Sequence, residues 1–291
     1  MATASQWLGG SRPRTLPAAF APVIVGTGMA ISVQSFNGWA ALLALIVAVA
    51  LQVGVNYSND YSDGIRGTDE ARVGPVRLVG QGLAPASQVK RAAFLSFAVA
   101  MVAGLGLVLI TQKWWLLLVG VACVAAAWLY TGGKHPYGYL GLGEIFVFVF
   151  FGLVPVVGTF YVQALTVTVS SVIAACGVGF LCCAILVTNN LRDIPGDTTS
   201  GKRTLAVRLG DSRTRVLYLV LVIAAAICVI VLAVTYSKSA VLALASFALA
   251  VTPVRIVMSG AKGRDLIAAL KGTGTLVLAY GIVLGIGLAL N

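Results

Sequence analysis

The sequence predicts an all-α, polytopic membrane protein with nine transmembrane helices and its N-terminus in the cytoplasm. Of the 291 residues, 59% are hydrophobic and only 10% are charged, and the apolar residues are gathered into nine long stretches. A soluble domain has about 25% charged residues, so this chain lacks the polar residues to cover itself in water. Helices are expected because lipid cannot satisfy backbone hydrogen bonds, and the stretches do not show the short alternating pattern of barrel strands.

The nine candidate spans each approach the roughly 20 apolar residues that cross a bilayer as a helix. In order they are 16–33, 40–57, 92–110, 114–130, 145–162, 169–186, 216–234, 240–257 and 273–290. The first follows Arg12 and Arg14 and in that respect resembles a signal peptide. Further spans follow it, and Pro17 and Pro22 suit a kinked transmembrane helix, so we assign it as a span.

The distribution of basic residues predicts the orientation. With the N-terminus inside, 18 of the 20 Lys and Arg residues fall on the cytoplasmic side, and only Lys113 and Lys238 lie outside. This asymmetry follows the positive-inside rule and explains the net charge of +11 without nucleic-acid binding. All nine acidic residues also fall inside, so chemistry is expected at the cytoplasmic face. The five cysteines lie in predicted spans without metal-ligand or redox spacing, and we interpret them as reduced apolar side chains.

The second predicted span ends in a run of polar residues. Gln52, Asn56 and Asp60 recur every four residues, and so do Asn59 and Asp63. Because residues four apart share a helix face, a polar stripe is predicted to run from within the membrane to its cytoplasmic edge. Polar residues inside a span indicate function by default, and this stripe ends in carboxylates.

The sixth predicted span ends in a matching run of polar residues. Asn189, Asp193 and Asp197 repeat the four-residue spacing. Pro195 is expected to break the helix, which would leave Asp197 just beyond the helix end. The two runs lie four spans apart, at equivalent positions of a candidate internal repeat. We therefore expect their acids to face each other.

Clustered carboxylates at a membrane edge repel one another unless a hard cation lies between them. Mg²⁺ takes one or two protein carboxylates and completes its shell with water and substrate phosphate. Facing acid pairs therefore predict Mg²⁺ bridged by a diphosphate, with basic side chains on the remaining phosphate oxygens. The interleaved basic residues are Arg66, Arg72, Arg77, Lys202 and Arg203. The alternative is that the acids only pair with neighbouring Arg and Lys as solvated loop charges.

These motifs resemble those of the UbiA superfamily of intramembrane prenyltransferases, which has nine spans and the motifs N-D-x-x-D-x-x-x-D and D-x-x-x-D after spans two and six. The first motif begins at Asn59 and the second at Asp193. The third acid position of the first motif falls on Gly67, and Asp69 follows two residues later. In the position of this displaced acid the sequence resembles the MenA-like branch, which prenylates 1,4-dihydroxy-2-naphthoate. The sequence also resembles that branch in the segments 12–17, 130–133, 136–139, 141–144 and 201–210.

The resemblance implies an Mg²⁺-dependent aromatic prenyltransferase in a bacterial cytoplasmic (inner) membrane, with residues 1–291 as one domain. The implied metal ligands are Asn59, Asp60, Asp63, Asp193 and Asp197. The same four aspartates and Lys202 would be catalytic. A polyprenyl diphosphate would ionise, the naphthoate carbon would attack, and loss of CO₂ would give a demethylmenaquinone. Substrate contacts are predicted at Gln52, Asn56, Arg66, Asp69, Arg72, Tyr139, Asn189, Lys202 and Arg203.

Three alternatives remain open at this point. A related prenyltransferase could act on 4-hydroxybenzoate, homogentisate, haem or a chlorophyll precursor. An ion-coupled transporter also places acids at broken helix ends, but it would use both membrane faces, whereas every acid here is predicted on one face. A non-catalytic scaffold gives no reason for the doubled spacing. Glu144, which begins the fifth predicted span, is expected either to pair with an arginine or to orient Tyr139.

Overall fold

The computed structural model describes residues 2–67 and 76–291, and every regular element within these ranges is a helix. The α-helices are α1 Ala4–Gly10, α2 Pro17–Ser32, α3 Gly38–Ile65, α4 Ala86–Thr111, α5 Leu116–Leu129, α6 Gly143–Val147, α7 Val154–Ala164, α8 Val169–Thr199, α9 Leu205–Thr235, α10 Val251–Met258 and α11 Leu266–Ala289. The 3₁₀ segments in the same ranges are Pro13–Thr15, Tyr137–Leu140, Lys238–Ala250 and Gly263–Asp265. A π-helical turn, Phe148–Leu153, joins α6 to α7.

Helices suited to crossing a membrane account for most of the described chain. Seven are long and apolar enough, and an eighth is obtained if Ala4–Thr15 and Pro17–Ser32, which meet at 50°, form one broken span. The further apolar helix Leu116–Leu129 has 14 residues, which at 1.5 Å per residue reach about two thirds of a bilayer core. The all-helical membrane class is therefore confirmed. Each predicted span coincides with a helical segment, while the count of nine stays a prediction.

Helix α3 carries the first motif beyond the apolar part of its span. Asn37 caps the helix by accepting a hydrogen bond from the Ala40 amide at 3.0 Å. The helix then continues to Ile65. Because the motif is part of a regular helix, its polar side chains are distributed over defined helix faces.

Helix α8 carries the second motif and runs through Pro195 to Thr199. Our expectation that the helix ends before Asp197 was therefore wrong. Proline removes one backbone N–H and crowds the preceding turn, but here only the final turn follows it. The Thr198 hydroxyl supports that turn by donating to the Ile194 carbonyl at 2.7 Å. Asp197 consequently lies on α8, one turn after the first aspartate of its motif.

Glycines allow the central helices to pack at backbone distance. A Cβ on Gly28 of α2 would lie 2.2 Å from the carbonyl oxygen of Gly285 in α11. A Cβ on Gly152 in the π-helical turn would lie 2.5 Å from the Cα of Gly179 in α8. Small residues at such contacts are the usual basis of helix packing in lipid, where burial of apolar surface from water contributes little.

The buried apolar residues form one large core and two smaller clusters. The large core joins α2, α8, α9 and α11. One smaller cluster, around Tyr57, Leu78 and Phe97, joins α3 and α4 to the turn that precedes α4. Helices from both the large core and this cluster contribute to the wall of a central cavity.

Candidate active site

A cavity of about 320 Å³ lies inside the bundle, lined by residues of α2, α3, α4, α5, α7 and α8. Its polar lining includes Arg12, Thr15, Gln52, Asn56, Asn59, Asp63, Arg77, Thr131, Tyr139, Asn189, Asn190, Asp197, Lys202 and Thr204. Its apolar wall includes Ala100, Met101, Leu105, Leu117, Val124 and Phe150. A cavity that combines charged residues with a large apolar wall suits a ligand with a charged head and an apolar body.

One face of α3 supplies the polar wall of the cavity. Gln52, Asn56, Asn59 and Asp63 all line it. Their spacings of four, three and four residues follow a single helix face. Asp60 lies beside this face and is not among the lining residues. The prediction of a polar stripe along one face of this helix is therefore correct, but the stripe contains Asn59 and not Asp60.

Two amide side chains of α3 are oriented by the turn that precedes α2. The Asn56 Nδ2 donates to the Ser11 carbonyl at 2.8 Å and to the Thr15 hydroxyl at 3.1 Å. The Gln52 Nε2 donates to the same hydroxyl at 3.0 Å. Gln52 is only 5% exposed, and its Oε1 has no hydrogen-bond partner within the described chain. A buried acceptor without a partner is costly, and this one belongs to a cavity-lining residue.

The end of α3 is tied to the segment between α5 and α6. The Thr131 hydroxyl donates to Asn59 Oδ1 at 2.8 Å. Arg66 donates to the backbone carbonyls of Thr131 and Gly133, and its guanidinium lies 5.4 Å from the centre of the Tyr139 ring. Arg66 itself is exposed. Its contacts therefore hold this segment over the cavity.

Asp63 and Lys202 join the two motifs at the polar end of the cavity. The Asp63 Oδ1 accepts from the Tyr139 hydroxyl at 2.7 Å and from the Lys202 Nζ at 3.1 Å. That Nζ also lies 4.6 Å from the centre of the Tyr139 ring. Asp63 and Lys202 are 2% and 5% exposed. Residues separated by 139 positions in the chain thus share one buried ion pair.

The four motif aspartates divide into two kinds. Asp63 and Asp197 line the cavity, and both are buried. Asp193 instead forms a bidentate pair with the neighbouring Arg192, at 2.7 and 2.8 Å. The two oxygens of Asp60 accept from backbone amides of the turn before α4. Among the described residues, one acid of each motif therefore lines the cavity.

The residues at this end suit a magnesium ion that a substrate helps to bind. Within residues 2–67 and 76–291, no group of three or more His, Cys, Asp or Glu side chains is placed to hold a metal ion. Mg²⁺ commonly needs only one or two carboxylates together with substrate phosphate and water, and Asp63 and Asp197 match that requirement. Arg12, Arg77 and Lys202 place positive charge at the same cavity.

Stacked aromatic rings form another part of the cavity wall. Tyr137 stacks on Phe146 with ring centres 3.8 Å apart, and Phe146 is followed by Phe150 at 5.9 Å. All three rings line the cavity. The Tyr137 hydroxyl donates to the Ala126 carbonyl at 2.7 Å, and burial raises the pKa of this tyrosine well above its usual range. Its ring is therefore neutral and fixed in orientation.

Residues 19–287 match the model of the UbiA prenyltransferase family. The chain belongs to this family. The match begins within α2, covers most of the cavity wall and confirms the resemblance that the Asp-rich motifs predicted.

Two relatives of this UbiA-family chain are named 1,4-dihydroxy-2-naphthoate octaprenyltransferase. The one from Mycobacterium leprae is 52% identical over 290 residues, covering 100% of this chain and 98% of the relative. The one from Mycobacterium tuberculosis is 52% identical over 291 residues, covering 99% and 98%. Among solved structures, a UbiA homolog from Archaeoglobus fulgidus bound to DMAPP and Mg²⁺ has a TM-score of 0.69 and 17% identity, covering 97% of this chain and 99% of that one. This last likeness concerns the fold.

Most of the predicted site residues of this UbiA-family chain lie around the cavity. The predicted residues that line it are Gln52, Asn56, Asn59, Asp63, Tyr139, Asn189, Asp197 and Lys202. Asp60, Arg66, Asp193 and Arg203 lie outside the lining. The Arg203 side chain is exposed, and its backbone amide donates to the Tyr139 carbonyl at 3.0 Å. Asp69 and Arg72 fall outside the described residues.

Some residues at the UbiA-family site were not identified from the sequence. Arg12 belongs to the segment 12–17 that resembles the MenA-like branch, but it was not predicted as a site residue. It lines the cavity, and its φ of 53° is a left-handed conformation that is rare for a residue before proline. Asn190 also lines the cavity and donates to Glu144 Oε1 at 3.1 Å. Within residues 2–67 and 76–291, Glu144 therefore pairs with an amide instead of an arginine or Tyr139. The repeated Asn189-Asn190 pair was the available signal for this contact.

Proposed function

We propose that this UbiA-family protein transfers a polyprenyl chain from its diphosphate to 1,4-dihydroxy-2-naphthoate, with loss of CO₂, to give the quinol form of a demethylmenaquinone. The observation that carries the proposal is the buried Asp63–Lys202 pair at the charged end of a largely apolar cavity. The two mycobacterial relatives, named for this reaction and 52% identical over nearly the whole chain, support the choice of acceptor.

The charged end is suited to the diphosphate. Lys202, Arg77 and Arg12 offer ammonium and guanidinium donors to phosphate oxygens. Asp63 and Asp197 would hold Mg²⁺ together with the phosphate. When bound, Mg²⁺ would supply neutralisation of the negative charge that develops on the leaving diphosphate. The solved UbiA homolog bound to DMAPP and Mg²⁺ supports a divalent ion in this fold.

The apolar wall is suited to the prenyl chain. Side chains of α4, α5 and the π-helical turn, including Met101, Leu117 and Phe150, form the apolar part of the cavity. Burying each CH₂ group contributes about 0.8 kcal/mol, so a long chain would be held mainly by this wall. The wall also keeps water from the allylic cation that forms when the C–O bond breaks.

The acceptor is suited to the space between the α3 amides and the aromatic wall. Gln52 Oε1 is a buried acceptor, and the amide nitrogens of Gln52 and Asn56 are already used by the preceding turn. Hydroxyl groups of a dihydroxynaphthoate can donate to such oxygens. The stacked rings of Tyr137 and Phe146 offer aromatic faces to the ring and to the cation. A new C–C bond then forms as the carboxylate leaves as CO₂.

We further propose that the chain crosses a bacterial cytoplasmic membrane nine times, with both Asp-rich motifs on the cytoplasmic side. The Asp63–Lys202 contact supports a common side, because the two residues follow different spans and meet within hydrogen-bonding distance. The sequence supports the cytoplasmic assignment, because 18 of 20 basic residues fall on that side of the nine-span arrangement.

The function is tested by incubating the purified protein in detergent with dihydroxynaphthoate, a polyprenyl diphosphate and Mg²⁺. Mass spectrometry should detect the decarboxylated prenyl adduct, and chelation of the divalent ion should stop its formation until Mg²⁺ is restored. Parallel reactions with 4-hydroxybenzoate test the acceptor. Lys238→Ala, a change at an exposed residue away from the cavity, is the matched control and should retain full activity. Product formation only with another acceptor would overturn the assignment.

A further inference from the structure

Both carboxylate oxygens of Asp60 accept hydrogen bonds from backbone amides of the protein. Its Oδ2 accepts from the Leu78 amide at 2.7 Å, and its Oδ1 accepts from the Val79 amide at 3.0 Å. Asp60 is 0% exposed and does not line the cavity. Carboxylate oxygens that accept two backbone N–H bonds are strongly satisfied. Each oxygen keeps a second lone pair, but Asp60 is not among the residues that line the cavity, where a metal ion would meet the diphosphate.

The cost of burying the Asp60 charge is offset in part by partners in the protein itself. Arg77 and Arg12 both act on it electrostatically. An ionised carboxylate in a protein interior requires such partners, because an isolated buried charge is very costly. Two guanidinium groups and two amide donors together provide them. These two arginines are also the ones that line the charged end of the cavity.

The turn that Asp60 binds is closely packed against α3. Leu78 is fully buried, and its side chain lies against Gly10. A Cβ on Gly64 would lie 2.5 Å from the Cβ of Val79. Glycine one turn after Asp60 therefore allows the turn to approach close enough for both amides to reach the carboxylate. Arg77 immediately precedes these amides and is 5% exposed at the cavity.

We propose that Asp60 is a positioning residue, which binds the Leu78 and Val79 amides and thereby holds the Arg77 guanidinium at the diphosphate end of the cavity. It acts through Arg77 and does not bind the metal ion. The role in substrate binding rests on the proposed function, whereas the clamp on the turn does not. Asp63, one turn along α3, is the acid of the first motif that lines the cavity.

The clamp is tested by hydrogen–deuterium exchange resolved to single amides. In Asp60→Ala, the Leu78 and Val79 amides should exchange at least about tenfold faster than in the wild type, because local opening no longer breaks two hydrogen bonds. Asp60→Asn, which keeps one acceptor oxygen, should give a smaller increase and remains informative if the alanine variant does not fold. Asp63→Asn is the matched control and should leave these two amides unchanged. Unchanged exchange in both Asp60 variants would overturn the proposal.

The route through Arg77 is tested by a double-mutant cycle. We expect Asp60→Asn and Arg77→Ala each to raise the KM for the polyprenyl diphosphate, by about tenfold, with a smaller change in kcat. In the double variant, Asp60→Asn should raise the KM less than about twofold above that of Arg77→Ala alone, because both substitutions disturb the same contact of Arg77 with the substrate. Additive effects would overturn the assignment of Asp60 to Arg77.

The metal dependence separates a positioning residue from a ligand. Asp60→Asn should keep the wild-type half-saturating Mg²⁺ concentration, whereas Asp63→Asn should not. An equal shift in both variants would show that Asp60 binds the ion and would overturn the proposal. If the wild type made no prenylated naphthoate at all, the proposed function would fail, and the amide exchange would still decide whether Asp60 clamps the turn.

Discussion

At the scale of single residues, the cavity is organised around one oxygen of Asp63. It accepts hydrogen bonds from the Tyr139 phenol and the Lys202 ammonium, and each donor comes from a different part of the chain. A buried ion pair is weak evidence for stability, because desolvation offsets most of the attraction. A lysine is a flexible point charge, so we expect Lys202 to turn towards phosphate when the diphosphate enters. Asp63 would then have an oxygen for a cation.

Asp63→Asn should therefore lower turnover by about 100-fold or more, the loss seen when a group that stabilises transition-state charge is removed. The variant should lose stability because Lys202 keeps a buried charge without its partner, but it should still fold because an amide oxygen can accept from Tyr139. Steady-state turnover with dihydroxynaphthoate measures the first expectation, and thermal unfolding in detergent measures the second. Turnover close to that of the wild type would contradict the role of Asp63.

Tyr139→Phe is a comparison for Asp63→Asn. It removes only the hydroxyl donor to Asp63, so turnover should fall by about tenfold at most.

Asp193→Asn is a second comparison. It weakens the bidentate pair with buried Arg192, and we expect lost turnover in this variant to be accompanied by a loss of about 3 kcal/mol in stability. Lost turnover without lost stability in Asp193→Asn would indicate a direct role at the substrate.

Gln52→Leu tests the acceptor side of the cavity. The change removes a buried amide oxygen that lacks a partner among the described residues, together with the Nε2 donor to Thr15, and keeps a similar volume. We expect the KM for dihydroxynaphthoate to rise by about tenfold, because a substrate hydroxyl loses its acceptor. The KM for the diphosphate should stay unchanged. If instead only the diphosphate KM changed, Gln52 would belong to the other substrate.

At the scale of elements, the site depends on α3 and α8 continuing beyond their apolar segments. The four-residue spacing predicted a helical stripe on α3, and this prediction was largely sufficient, because helical periodicity alone determines which residues share a face. It could not distinguish Asp60 from Asp63, because the amides that bind Asp60 come from a turn about 20 residues later. Pro195 misled the prediction for α8, since its cost depends on how many turns follow it.

Gly64→Ala tests the packing of the turn against α3. The added Cβ would meet Val79 at 2.5 Å, so the turn must move away from Asp60. We expect a loss of about 1–3 kcal/mol in stability, typical of overpacking, together with a raised KM for the diphosphate. Gly196→Ala on α8 is the control, because a Cβ there meets no atom within 4 Å. Equal thermal unfolding of both variants would contradict the close approach.

At the scale of the whole molecule, the charged end and the apolar wall belong to one cavity because helices from both halves of the chain enclose it. Composition predicted the membrane class, and the motifs predicted the family, because each depends only on which residues occur and how they are spaced. The residues that line the cavity could not all be predicted in this way. It depends on side chains such as Arg12 and Asn190, whose places are determined by contacts between distant helices.

The proposed nine-span arrangement can be tested with single cysteines and a membrane-impermeant thiol reagent in intact bacteria. Ser200 follows α8 at the charged end and Lys238 begins the 3₁₀ segment Lys238–Ala250, and both side chains are exposed. A span separates them, so Lys238→Cys should react from outside, whereas Ser200→Cys should react only after the membrane is opened. The parent chain measures background, because its five cysteines are half-buried or buried. If Ser200→Cys reacted in intact cells, the charged end of the cavity would face outward, and cytoplasmic substrates could not reach it.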